Sequence, residues 1–160
     1  MHPTKNDISL EVRTKVSTLL NARLADAIDL TLQGKQAHWN VKGPDFIALH
    51  ELFDKLVETS EDWVDDIAER VVALGGTAEG TVGAVGKKTT LAAYPLELVD
   101  GSAHVDALSS ALAKFGKNVR AAIHESGELG DADTADLFTG ISREADKYLW
   151  FLEAHLQAKR

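Results

Sequence analysis

His50, Asp54, Glu58, Glu61, Asp65 and Glu69 follow one another at intervals of four, four, three, four and four. On an α-helix, at about 100° per residue, that spacing sets all six side chains on one stripe. An imidazole among carboxylates is a donor set that borderline divalent cations accept, non-haem iron among them. No Lys or Arg interrupts the stripe, and like charges at helical neighbour spacing repel, so a positive group belongs beside it. Read alone, the stripe is more simply a solvated acidic flank, with His50 and Asp54 an ordinary pair worth about 0.2–0.5 kcal/mol. His38, brought near by a turn at Gly43-Pro44, offers a second imidazole, although a histidine there also reads as a core or capping residue. Trp39 and Trp63 flank these positions and read as core or interface anchors.

One helix cannot close such a site by itself. At 1.5 Å rise per residue, His50 and Glu69 stand about 28 Å apart. Two copies of the helix packed antiparallel about a two-fold axis near residue 60 bring His50 and Asp54 of one copy opposite Asp65 and Glu69 of the other. Two equivalent sites then form per dimer, through the commonest oligomer symmetry, and bound cations cancel the carboxylate repulsion.

The elements that must position these groups are legible in the apolar spacing. From Ile8 to about Trp39 the apolar residues recur mostly at three and four, which predicts a long amphipathic helix. Gly43-Pro44 ends it, and Pro44 is expected in the first turn of a second helix reaching about Leu74. In that helix Phe46, Leu49, Phe53, Leu56, Val57, Val64, Ile67, Val71 and Leu74 share one stripe about 100° wide, the face expected in the core. The acidic stripe lies beside it and is expected to border the core. Five glycines between Gly75 and Gly86, with Pro95, mark a connection of roughly 27 residues that should carry a short helix of its own. Further helices are expected from Ser102 to Ser126 and from Asp131 or Asp133 to near Lys159. Two helices, one long crossover and two more helices describe an all-α four-helix bundle whose second and third helices run parallel.

Composition narrows the chemistry. With 160 residues, 44% of them hydrophobic, the chain is one domain's worth of sequence, a single unit over 1–160 with a short tail at 1–7. The absence of cysteine excludes disulfides, iron-sulfur clusters, thiolate zinc sites and thiol nucleophiles. A formal charge of -8 opposes adhesion to phosphate backbones or anionic membranes and suits cations. No run of about 18 apolar residues occurs, so no membrane partner is expected and a cytoplasmic location is the default. No Glu is followed three positions later by His, which disfavours a di-iron site inside one bundle. The string HELFD at 50–54 lacks the second histidine of a zinc protease.

The strings KQAHWNVKGPDFIALHELFD at 35–54 and DDIAER followed by LGGTAEGT at 65–81 closely resemble the Dps family of bacterial mini-ferritins. A looser likeness continues through AAYPLE to DTADLFTGISREADKYLWFLEAH, so nearly the whole chain is covered. The resemblance implies a ferritin-like bundle assembled into a hollow homo-dodecamer. It implies Fe(II) and hydrogen peroxide as substrates, with oxygen a poorer oxidant, and ferric mineral held in the cavity. The family's ferroxidase ligands fall on His38, His50, Asp54, Asp65 and Glu69, shared between two-fold-related subunits. Trp39 falls where the family keeps a tryptophan that traps stray oxidising equivalents. Acidic pores near the start of the last helix make Glu128, Asp131, Asp133 and Asp136 candidates for guiding iron inward, and helix capping accounts for Asp131 and Asp133 equally well.

DNA binding is the family's second activity and supplies a competing reading, a nucleoid structural protein with ferroxidation secondary. Mobile lysine-rich tails usually deliver it. Here the ends offer only His2 and Lys5, offset by Asp7, and Lys159 with Arg160. Phosphate attraction through so few cations is modest at physiological salt.

Overall fold

The computed structural model describes residues 1–158. Its helices are α1 (Leu10–Asn40), α2 (Phe46–Ala73), α3 (Val82–Lys88), α4 (Gly101–Glu128) and α5 (Ala132–Gln157), with no strand among the described residues. Ser9 caps α1 by accepting from the Val12 N–H, Thr81 caps α3 from Ala84, and Asp131 caps α5 from Thr134. Each cap satisfies one of the amide donors that a helix start leaves without a partner.

The sequence boundaries hold to within a few residues, with one difference at the first turn. Pro44 is not in α2; it lies in a turn closed by the Phe46 N–H on the Gly43 carbonyl at 3.1 Å, and Asp45 is the residue before the helix. Gly43 takes φ 115, a conformation open to glycine at little cost, and this lets the chain reverse within five residues. At the other end of α2, Gly75 has φ 84 while Gly76 N–H reaches back to the Val71 carbonyl, the backbone pattern that ends a helix on a left-handed residue.

α1 packs along α2 and α4 along α5, two helical hairpins laid together through α1 with α4 and α2 with α5. The crossover sets their relative direction. The Lys42 N–H donates to the Val99 carbonyl at 3.0 Å, which places the start of α4 beside the start of α2. The two helices therefore run parallel, as a single long connection requires. Buried Asp26 on α1 anchors that connection: it accepts from the Thr90 amide at 2.7 Å, the Thr90 hydroxyl at 3.0 Å and Asn118 of α4 at 3.0 Å, with Arg23 at 3.0 Å neutralising it. Such a charge is tolerable inside the protein because it is both paired and hydrogen-bonded.

The core runs the length of the bundle, from Val16, Leu20, Leu24 and Leu30 on α1 through Phe53, Trp63 and Ile67 on α2 to Phe115 on α4 and Phe138 on α5. Trp63 is an interior anchor, stacked at 5.6 Å on Phe115 with its indole N–H on Glu144 at 2.8 Å. Most of the apolar stripe expected on α2 is buried, but Phe46 is 39% exposed and Val64 only partly covered. The acidic stripe also departs from expectation. His50 and Asp54 are half-buried, whereas Glu58, Glu61, Asp65 and Glu69 are open to solvent. α1 borders the middle of that flank, where Ile28, Thr31 and Leu32 line a groove with Glu61 and Asp65.

Candidate metal centre

The α1–α2 turn brings together side chains separated by twelve positions in sequence. The rings of His38 and His50 stack with centroids 3.7 Å apart and planes at 22°. Each ring's Nδ1–H donates to the other residue's main-chain carbonyl at 2.8 Å. A carbonyl only accepts, so both Nδ1 atoms carry the proton and both Nε2 atoms keep a free lone pair. A metal-binding histidine needs that tautomer, with its second nitrogen held by a hydrogen bond.

Asp54 lies one turn beyond His50, its carboxylate 3.8 Å from the His38 ring nitrogen. It is not without a cation. Lys35, one turn before His38 on α1, places its ammonium 2.5 Å from the Asp54 carboxylate. This hydrogen bond holds the Asp54 carboxyl below the usual range, against some desolvation and with help from His38 and His50. The positive group missing from the α2 stripe is supplied across the hairpin. Spacing held the clue, because Lys35 and His38 are three residues apart on a helix and so share a face.

Asp65 and Glu69 are not brought to this group. They sit about four and five turns beyond His50 along α2, about 22 Å and about 28 Å away. Among the described residues no three or more His, Cys, Asp or Glu side chains converge closely enough to hold a metal ion. Within one protomer, then, there are two half-sets of donors: an imidazole pair with Asp54 near the start of α2, and two exposed carboxylates near its end. The types fit iron, and the open carboxylates leave room for a second chain.

Trp39 follows His38 and is 69% exposed, its indole outside the core. The acidic residues at the start of α5 separate into two kinds. Asp131 is 1% exposed and spends its carboxylate on the Thr134 amide at 3.0 Å, the Thr134 hydroxyl at 2.7 Å and Arg70 at 2.7 Å. Capping and charge pairing account for it fully. Glu128, Asp133 and Asp136 are exposed. At the N-terminus the His2 N–H donates to the Gly75 carbonyl at 2.6 Å, which ties the segment bearing Lys5 to the end of α2. Lys159 and Arg160 lie outside the described residues. No described helix is long and apolar enough to cross a membrane.

The profile of a ferritin-like domain matches residues 17–160. The DNA protection during starvation protein of Agrobacterium fabrum is 50% identical over 158 residues, covering 99% of this chain and 98% of that one. Its namesake in Mycolicibacterium smegmatis is 36% identical, covering 89% and 78%. Among solved structures, DpsA14 from Streptomyces coelicolor superposes with a TM-score of 0.92 at 39% identity, covering 97% of this chain and 92% of that one. The tetragonal form of Mycobacterium smegmatis Dps gives 0.93 at 34% identity, covering 99% and 95%. Sequence match over nearly the full length and the same bundle with the same crossover lead to one assignment: the chain belongs to the Dps family of ferritin-like proteins.

Proposed function

We propose that the protein is a ferroxidase and iron store, taking Fe(II) as substrate at two equivalent sites between two-fold-related subunits of a hollow dodecamer. The observation that carries this reading is the reciprocal His38–His50 pair, which offers two Nε2 lone pairs beside Asp54 and leaves the donor set incomplete without Asp65 and Glu69 of a second copy. Hydrogen peroxide is the oxidant, oxygen a slower one. Two ferrous ions each give up one electron, the O–O bond of peroxide breaks, and hydrolysis of the ferric products releases protons as oxyhydroxide forms in the cavity. The protein's part is to hold two cations of like charge close together, which carboxylates do by cancelling their repulsion. Removing iron and peroxide together protects DNA from oxidative damage in the cytoplasm, where the protein is expected to act.

Glu128, Asp133 and Asp136, exposed around the start of α5, are the proposed entry carboxylates, with Asp131 fixing the helix start beneath them. Trp39 is the proposed sink for stray oxidising equivalents. Direct DNA condensation is the weaker reading: the Lys5 segment is tied down and the net charge is -8. Gel retardation that vanishes as salt rises, and vanishes on removing Lys5, Lys159 and Arg160, would favour it.

Asp65→Asn together with Glu69→Gln tests the main reading. Both residues are exposed in the protomer, so the fold should persist. Peroxide-driven Fe(II) oxidation is expected to vanish while size-exclusion mass stays that of the assembly. Unchanged oxidation rates would remove the proposal.

A further inference from the structure

Three large hydrophobic residues of α2 are exposed among those described: Phe46 at 39%, Ile47 at 61% and Val72 at 58%. At about 100° per residue, Ile47 and Val72 fall within about 20° of each other around the helix, on the same line as Asp54, Glu58 and Asp65. The stripe of ligands and carboxylates is thus bounded at each end by an aliphatic side chain pointing the same way. The placement along the helix is symmetric as well. Ile47 and Val72 are equidistant from the midpoint between Thr59 and Ser60, as are His50 and Glu69, and Asp54 and Asp65. An antiparallel dimer that sets one of these pairs face to face sets all three.

We propose that Ile47 of one copy packs on Val72 of a second copy, twice per dimer, and that these contacts fix the register in which the imidazole half-set meets the carboxylate half-set. The proposal rests on the inter-subunit iron site described above, which the partner must complete. Val72 helps to line a groove of about 640 Å³ whose walls combine Ala68, Ala73, Ala78 and Leu137 with the charged Asp66, Glu69 and Arg70. In this register it receives Ile47 of the second copy beside Val72. A slip of three residues, about 4.5 Å, sets Ile47 against the Glu69 carboxylate, an uncompensated burial that opposes the wrong pairing. The same contacts close the outer end of each site to water, which strengthens the attraction between carboxylates and cation.

The chain has no cysteine, which makes the test direct. In the double variant Ile47→Cys/Val72→Cys, diamide should take two hydrogens from each facing thiol pair and form two intermolecular disulfides. A non-reduced band at twice the 17.3 kDa subunit mass is expected. Neither single variant should give it, because residue 47 lies about 37 Å from its own symmetry mate. An assembled double variant that yields no such band overturns the proposal. A charge pair reads the same contact in the intact assembly: Ile47→Glu should lower Fe(II) oxidation at least about tenfold, and adding Val72→Lys should restore it to within about threefold. Failure of that rescue, or equal rescue by Val82→Lys on α3, overturns it. Cross-linking is read without iron, so a cross-linked dimer with no ferroxidation would sink the iron site and leave the interface standing, and the reverse result would do the opposite.

Discussion

His38 and His50 lock each other's ring orientation: each donates its Nδ1–H to the other's main-chain carbonyl at 2.8 Å, and the two rings stack at 3.7 Å. The pair is self-orienting and needs no third residue to present both Nε2 atoms. The consequence is that neither histidine can be replaced without releasing the other.

His50→Gln removes one donor atom and one of the two reciprocal bonds. Loss of a ligand's orienting partner typically costs 10–100-fold in metal affinity or activity. Peroxide-driven Fe(II) oxidation is expected to fall at least about tenfold, with circular dichroism unchanged because His50 is only half-buried. Stopped-flow absorbance of the ferric product checks it, and a wild-type rate would contradict the assigned tautomers.

On the proposed reading of Asp54 as an iron ligand, Lys35 competes with iron for it. An exposed ion pair is worth about 0.2–1 kcal/mol, and the Lys35 and Asp54 side chains are 32% and 38% exposed. Lys35→Met should therefore tighten Fe(II) binding by at most about fivefold, and the gain should shrink as salt is raised. Anaerobic titration calorimetry at two ionic strengths measures both; weaker binding in the variant would show that Lys35 assists the site.

Buried His104, 1% exposed and bonded to the Tyr94 hydroxyl at 2.7 Å, ties the crossover to α4. Burial pushes its pKa down, the Lys42 ammonium acts in the same direction, and the Leu98 carbonyl and Asp100 oppose. The neutral form is thus favoured in the folded protein. The unfolded chain binds the proton more readily, so stability is full above the ordinary histidine value of about 6.5 and falls as pH drops below it. Thermal melts from pH 7 to pH 5 should show a steeper decline for the native chain than for His104→Phe; parallel curves would exclude His104 as the source.

Asp26 holds the crossover to the bundle, and removing one member of a buried charge pair costs about 3–5 kcal/mol. Asp26→Ala should lose that order of stability in urea, and the Thr90 amide should lose its protection from hydrogen exchange. Protection equal to the native protein would show that the anchor lies elsewhere.

At Gly34 a Cβ would meet Val57 Cγ2 at 2.8 Å, and Val57 is stiff and 1% exposed. Replacing glycine by alanine in a helix gains about 1 kcal/mol in propensity, while overpacking a core costs about 1–3 kcal/mol. The clash should win, so Gly34→Ala is expected to lower the urea midpoint; a raised midpoint would show that α1 and α2 can separate freely.

By itself the sequence determined what depends on local repeat. Periodicity at 3.6 residues placed four long helices, and glycines with a proline marked the crossover. The helix rise alone showed that His50 and Glu69 cannot share a metal within one chain. What waited for the tertiary structure depends on how separate elements pack. It decided that His38 and His50 face each other, that Lys35 reaches Asp54 across the hairpin, and that Phe46 sits at the edge of the core. It also buried Asp131 under Arg70 and fixed Thr90 to Asp26. A one-dimensional pattern records which face of a helix a residue occupies, whereas the partner it meets there is set by the approach and rotation of the neighbouring helix, which no local repeat encodes.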